Sequence, residues 1–436
     1  MSAHILVIGG GVAGLSAAIA LRGTAHVTIR ERAGQVGGKL RQGPLGVEEG
    51  AEAFLCRLPE GIVAAAEAGL ELTHPQAVPA RLWLNGKLQP LPSGTVLGVP
   101  GDLRKAAPVL GFRGTMRALL DRVLPATAAD EDPAVGQYVR ARLGDRVVDR
   151  LVDPLLGGVY AGRADELSLR MTTPQLVPAL GERSLLEAAR RLAPKPTGQP
   201  IFATPVQGMG QLVARLAEVS GADIVLGSPV TDLDRDGDGW RVDGERYDAV
   251  VLAVPNAPAG KLLAPLGVAV PPLDYASVAL ATFVFPNDTE LPAASGFLVP
   301  STERRLIKAS TFLSSKWKHI ADGFDGVIVR CSAGRAGAAG DLARSDVELA
   351  GVLCAELGEA TGMRRRPLET SVVRWGGGLP QYAPGHLQRV AGVRAGLPRG
   401  LALAGAAWDG VGIPACLRSG TAAAASVAQT LALPIT

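Results

Sequence analysis

Apolar residues fall along this chain in short unbroken runs, each followed by a stretch of helical period. The first run, Ile5-Leu6-Val7-Ile8, has no polar alternation, which is the pattern of a parallel strand covered on both faces. Gly9-x-Gly11-x-x-Gly14 follows directly, and apolar residues at helical spacing then continue over 15–21. His26-Val-Thr-Ile-Arg30 predicts a second strand. Strand, glycine turn and helix in this order make a dinucleotide-binding fingerprint. Gly9 permits the tight turn, Gly11 lets the backbone approach a pyrophosphate, and Gly14 lets the helix lie close on the strand. The helix start, with Gly10, Val12 and Ala13, offers free N–H groups and the positive end of its dipole to phosphates. Glu31 ends the second strand about 20 positions past the glycines, where ribose hydroxyls are held. The plain alternative for Glu31 is a solvated charge.

The same patterning predicts the rest of the chain. A helix is expected over 61–69, and a hairpin over 81–91 turning at Asn85-Gly86. The Gly- and Pro-rich stretch 91–100 reads as loop. Residues 101–200 read as mainly helical: Asp102 caps a first helix, 114–124 forms another, and Asp130-Glu131-Asp132-Pro133 places an N-cap before a helix ending at Leu143, with 145–156 continuing. After a helix from Gly208, short strands are expected at 224–226, 230–233, 240–243 and 247–254, with Asp236-Gly-Asp-Gly239 as a hairpin turn. Strands at 276–285, 296–299 and 327–331, with a helix over 345–361, suggest a second sheet. A strand at 401–405, a glycine-bearing turn at 406–414 and a helix over 416–431 close the chain. That last set would put a second helix N-terminus against a bound cofactor; the alternative is a terminal helix that only packs.

Composition narrows the function classes. At 436 residues the chain exceeds one ordinary core, so two or three domains are expected. With 47% hydrophobic and 19% charged residues it is a well-buried globular protein. A net charge of +3, with five Trp and five Tyr, gives no footprint for nucleic acid. Four scattered cysteines and five histidines show no ligand spacing, so no metal site and no disulfide framework is expected. No signal peptide and no transmembrane helix are read from the sequence, so a cytoplasmic location is expected, while a mean hydropathy of +0.21 leaves room for peripheral contact with a membrane.

Glu31-Arg32 followed by Val36-Gly37-Gly38-Lys39 resembles the second dinucleotide motif of FAD-dependent oxidases of the amine-oxidase-like superfamily. Further motifs carry a narrower resemblance: Gly157-Gly-Val-Tyr-Ala-Gly through Leu169, Ile307-Lys-Ala-Ser-Thr-Phe with Lys316-Trp317, Leu379-Pro-Gln-Tyr-Ala-Pro-Gly-His386, and Gly405 through Cys416. Together they resemble the protoporphyrinogen/coproporphyrinogen oxidases of haem synthesis, from residue 4 to about 430. The resemblance implies an α/β fold with a discontinuous Rossmann-like FAD-binding domain (1–75, 201–272 and 392–436). It implies a mixed-sheet substrate-binding domain (76–95 with 273–391) and a helical insertion (96–200) that touches membranes in some members. FAD contacts carried over by motif are Gly9, Gly10, Gly11, Val12, Ala13, Gly14, Glu31, Arg32, Lys39, Gly50, Ala51, Glu52 and Ala53. Val230 is carried over as lying against adenine, and Val411, Gly412 and Ile413 as near the flavin ring. Val230 could equally be sheet core and Lys39 a solvated charge. Trp408 departs from the smaller or aliphatic residue expected at its position.

Within the family, Leu91-Pro-Ser-Gly-Thr-Val-Leu-Gly-Val-Pro100 resembles the bacterial branch that oxidises coproporphyrinogen III, with Val96 where protoporphyrinogen oxidases typically have arginine. The implied reaction is a six-electron oxidation in three flavin cycles, dioxygen being reduced to hydrogen peroxide. No catalytic base is named. Four propionates call for cations, and Arg57 is the candidate, with an unspecialised surface arginine as its alternative. Porphyrinogen and dioxygen are the expected partners, and hand-over to a ferrochelatase is open. The rivals are protoporphyrinogen IX oxidation, an amine oxidase or carotenoid desaturase, and a non-enzymatic flavin-binding module.

Overall fold

A computed structural model describes residues 3–125, 130–194 and 198–434. The chain divides into two compact units, Met1–His74 with Pro200–Leu273 and Leu387–Thr436, and Pro75–Gln199 with Asp274–His386. The helical stretch expected over 96–200 lies, up to Gln199, in the second unit with the seven-stranded sheet, and its residues 126–129 and 195–197 are outside the described set.

The first unit is built on β1 (His4–Ile8), which pairs in parallel with β2 (His26–Arg30) on one side and with Ala249–Leu252 on the other. Asp223–Val225 and Leu401–Leu403 extend this sheet in parallel to five strands. Its unbroken apolar runs follow from burial on both faces. Ile5 and Val7 join a core with α1 (Val12–Leu21), Met209–Ser220 and the C-terminal helix Ile413–Thr430, whereas Leu6 and Ile8 join Trp240, Tyr247 and Trp408. The strands after Val225 depart from expectation. Val230 lies in irregular chain, and Leu233–Asp236, Gly239–Val242 and Glu245–Tyr247 form their own three-stranded antiparallel meander. Two turns, at Gly237 and Asp243-Gly244, each with positive φ, fold these strands on one another instead of extending the parallel sheet.

The second unit carries a seven-stranded mixed sheet, antiparallel except where Gly296–Leu298 runs parallel to Ala80–Leu84. Asn85 and Gly86 turn the hairpin with φ of 53° and 72°, which suits that residue pair. The stretch 91–100, expected as loop, contains a short hairpin, Thr95–Val96 with Val99–Pro100, and Val96 is buried in the core of the helical block. Asp102 caps Leu103–Leu119 by accepting from the Arg104 amide, and Gly111 breaks that helix at φ 67°. The expected Asp130–Pro133 cap is not formed. The helix Val135–Leu143 has Ala134 at its N-cap and no side-chain cap, because Asp132 is taken by the Ser168 hydroxyl and the Arg170 and Gly385 amides. The segment expected to continue as helix over 145–156 passes through a wider turn at Val148–Val152. Ser345 and Glu348 form a capping box at the start of Asp346–Thr361, the helix that covers one face of the sheet. Among the described residues no helix is long and apolar enough to cross a membrane, and no metal-binding cluster occurs.

Candidate functional site

The three glycines of the first turn differ in what surrounds them. Gly9 sits at φ 108°, and a Cβ there would lie 2.5 Å from the Ala253 carbonyl oxygen. A Cβ on Gly14 would lie 2.0 Å from the Gly9 carbonyl oxygen, so this glycine lets α1 start against the strand end. Gly11, the N-cap of α1, has ordinary extended backbone, and a Cβ on it would meet nothing within 4 Å. Gly11 therefore faces open space, and no side chain caps the helix that begins at Val12 and Ala13. Amide donors and a positive dipole end are left pointing at that space.

Glu31 closes the site on the β2 side. One carboxylate oxygen accepts from the Gly10 amide at 2.7 Å and the other from the Ala33 amide at 2.8 Å. A carboxylate offers about four lone-pair positions, so acceptor capacity remains for hydroxyls. Arg32 is exposed next to it. The Glu31 carbonyl accepts from the Ser228 amide, and the Arg30 guanidinium holds Ser228, Pro229 and Asp243. This clamp brings the irregular segment with half-buried Val230 to the end of β2, although Val230 itself is in no strand.

The Gly37-Gly38 pair folds back onto the fingerprint. The Gly37 amide donates to the Gly10 carbonyl at 2.8 Å, and a Cβ on Gly38 would approach the Gly11 Cα at 3.5 Å. Lys39 is thereby placed opposite Cys416 on the C-terminal helix. Lys39 is exposed at this turn, and loss of water from one side of its ammonium draws it below its ordinary value, while burial raises the Cys416 thiol to about 11 against the opposing pull of Lys39.

The C-terminal turn approaches from the other side. Its helix starts at Ile413, three residues before the expected Cys416, with Pro414 in the first turn where a missing N–H costs nothing. Gly412 is the N-cap at φ 108°, exposed, with no side-chain cap, and a Cβ there would again meet nothing within 4 Å. Val411 is half-buried and Ile413 buried. The turn is fixed by Ser419, whose hydroxyl accepts from the Gly405 amide and donates to Asp409. The helix crosses α1 closely: a Cβ on Gly420 would lie 2.1 Å from the Ala13 carbonyl oxygen, and Ser16 donates to the Leu417 carbonyl at 2.8 Å.

Other expected residues are less directly tied to this cluster. Gly50, Ala51, Glu52 and Ala53 run as irregular chain into the short strand Phe54–Leu55, whose Phe54 joins the same core as α1. Arg57 is exposed in the turn after that strand. Trp408 is buried on the opposite sheet face. Sequence reasoning passed over two supports. Glu48, buried at 8% exposure, accepts from the Met209 and Gly210 amides and so caps a helix that begins 161 positions away in sequence, and Arg30 is the clamp on the Val230 segment. Neither has a local signal, since each partner is distant in sequence.

Two uncapped helix N-termini, open-faced Gly11 and Gly412, and a hydroxyl-ready carboxylate together fit a dinucleotide with its pyrophosphate on the first helix. The profile of the family described as flavin-containing amine oxidoreductase matches residues 12–428. A Mycobacterium tuberculosis protein named coproporphyrinogen III oxidase is 36% identical, the alignment covering 98% of this chain and 97% of the relative. A Bacillus subtilis protein of the same name is 30% identical over 96% and 97% of the two chains. A solved structure from Exiguobacterium sp. 255-15, provisionally described as a protoporphyrinogen oxidase, superposes with a TM-score of 0.88 at 30% identity and 99% coverage of both chains.

Proposed function

This chain belongs to the flavin-containing amine oxidoreductase family, and from that premise we propose that it is an FAD-dependent coproporphyrinogen III oxidase. The observation that carries the reading is the pair of uncapped helix N-termini, each starting at a glycine that faces open space, in a chain similar end to end to mycobacterial and Bacillus proteins of that name. When bound, FAD supplies two-electron acceptance, so three rounds remove six electrons and six protons from the porphyrinogen while three dioxygen molecules become three hydrogen peroxides.

The residues of this chain bind and orient. The Val12 and Ala13 amides and the α1 dipole hold the pyrophosphate, with Gly11 admitting it. Glu31 takes the ribose hydroxyls, and the Arg30 clamp sets Val230 toward the adenine. The amides at Val411, Gly412 and Ile413 stabilise negative charge at the ring end of the cofactor. Lys39, opposite Cys416, adds a positive charge beside that helix start. The segments 76–95 and 273–391 are assigned to the substrate, and 96–200 to a helical domain. Hand-over of the porphyrin to a ferrochelatase belongs to the same reading.

Oxygen uptake and porphyrin fluorescence, recorded side by side with coproporphyrinogen III and protoporphyrinogen IX, test the substrate. Higher kcat/KM with coproporphyrinogen III is expected, and equal or better kcat/KM with protoporphyrinogen IX overturns the assignment. The second reading, protoporphyrinogen oxidation, draws on the description of the Exiguobacterium structure. Val96 lies in a packed core, so its aliphatic character reports on packing and adds little to the substrate choice.

Peripheral membrane contact is part of the proposal. Phe112, Met116 and Leu120 recur every fourth residue, are 81%, 49% and 46% exposed, and continue into exposed Val123 and Leu124. Arg104, Lys105, Arg113 and Arg122 are exposed on the same segment. An apolar stripe with basic neighbours suits an anionic bilayer surface. Co-sedimentation with anionic vesicles, lost in Phe112→Asp/Val123→Asp, supports it; equal sedimentation of wild type and variant removes it.

A further inference from the structure

Lys308 lies on the strand Ile307–Phe312 of the mixed sheet and is only 6% exposed. No hydrogen-bond or ion-pair partner of its ammonium occurs among the described residues. Arg335 is fixed at the same place, donating to the carbonyls of Arg305 (2.9 Å), Val299 (3.2 Å) and Ile307 (3.3 Å). The Val299 amide in turn donates to the Lys308 carbonyl at 2.9 Å, so both cations belong to one small patch of sheet. Of the carboxylates in reach of Arg335 (Asp153, Asp341 and Glu356), two are engaged elsewhere. Glu356 accepts from the Leu306 and Ile307 amides, and Asp153 accepts from the Ala164 amide and the Ser301 hydroxyl.

A buried ammonium without a counter-ion is destabilising, and beside a guanidinium more so. Burial and the Arg335 charge accordingly draw Lys308 down to about 8, so it is in part protonated near neutral pH. An anion arriving there would gain a charge-assisted hydrogen bond and complete the lysine's protonation. Of the anions that the proposed function brings to this unit, propionate carboxylates are the natural occupants.

We propose that Lys308, with Arg335 beside it, receives a carboxylate of the substrate. The proposal rests on the porphyrinogen reading above, and its test separates the two. FAD-loaded wild type, Lys308→Met and Lys308→Arg are titrated with coproporphyrin III, by fluorescence and by calorimetry at pH 8 in two buffers of different ionisation enthalpy. Wild type is expected to take up a fraction of a proton on binding. Lys308→Met should lose that uptake and bind about tenfold more weakly or worse, with a Tm no lower than wild type. Lys308→Arg, permanently charged, should keep much of the affinity and lose the uptake. Wild-type affinity and proton uptake in Lys308→Met overturn the proposal while leaving the oxidase reading intact. If coproporphyrin III binds none of the three proteins, the oxidase reading falls, and succinate decides the anion site. A Tm raised by succinate in wild type only supports it; an equal rise in wild type and Lys308→Met, or none in either, overturns it.

Discussion

Replacing Gly11 and Gly14 by alanine, one at a time, separates the two demands on the glycine turn. At Gly14 the new methyl would sit 2.0 Å from the Gly9 carbonyl oxygen, and both atoms belong to backbone held by the sheet and by α1. Relief requires shifting the helix, and overpacking of that kind costs about 1–3 kcal/mol or more. The apoprotein itself should lose stability. At Gly11 the backbone is at φ −73° and ψ 176°, allowed for any residue, and the methyl meets no protein atom within 4 Å. Apoprotein stability should change by less than about 1 kcal/mol. In the proposed site, however, the methyl fills the space assigned to the pyrophosphate, and displacing it from two amide donors forfeits about 1.5–3 kcal/mol for each charged hydrogen bond. The expected loss of FAD affinity is roughly a hundred- to ten-thousandfold. Denaturant unfolding of both apoproteins and fluorescence titration with FAD measure the two effects. Gly11→Ala binding FAD within about threefold of wild type, or unfolding as easily as Gly14→Ala, would refute the assignment of the open face to the cofactor.

Glu31→Ala removes the acceptor of the Gly10 and Ala33 amides along with the proposed ribose contact, and FAD affinity should fall by about 1.5–3 kcal/mol in the same titration. Gly412→Pro imposes negative φ where the chain has +108°, so flavin loss or a large drop in turnover is expected with the sheet preserved by circular dichroism. Lys308 falls from 10.5 to about 8 on folding, a cost of about 3 kcal/mol that is fully present below pH 8. It is relieved as pH rises toward 10.5, so Lys308→Met should be the more stable protein at pH 7, with the gap narrowing by pH 10. A gap independent of pH in denaturant melts would contradict this. Arg57→Ala should raise KM for coproporphyrinogen III more than for protoporphyrinogen IX; an unchanged ratio discards Arg57 alone.

The strongly patterned parts of the fold were legible for stated reasons. Ile5–Ile8 reads as a doubly covered strand because both its faces are buried, and Asn85-Gly86 reads as a hairpin because that pair tolerates positive φ. Of the turn expected over 406–414, residues Ala406–Asp409 form a short helix, and the last helix starts at Ile413, earlier than expected, since Pro414 reads as a breaker until its position in the first turn is known. Val230 misled because a β-branched residue suggests strand, whereas Arg30 and Asp243 hold that segment as irregular chain. Asp132 looked like a helix cap and serves three donors from 168, 170 and 385, which no local pattern announces. The same holds for Glu48 and for the Lys308–Arg335 pair. Their neighbours are assembled by sheet pairing and helix docking, and a linear pattern carries no trace of them.

The crossing of Gly420 over Ala13 bears on how the protein is made. Ser16 and the Leu417 carbonyl that it holds are 401 residues apart. At about 5–20 residues per second, a ribosome takes roughly 20–80 s to produce the second after the first. Through that interval α1 has emerged, but the helix that covers Ala13 and Ser16 has not been translated, nor has the sheet strand Leu401–Leu403. The nascent chain therefore carries an uncovered apolar helix face through that interval, and cofactor capture at the proposed site waits for the C-terminal helix. Synonymous changes that slow elongation over the middle of the message should lower the yield of flavin-loaded protein without altering one residue of it.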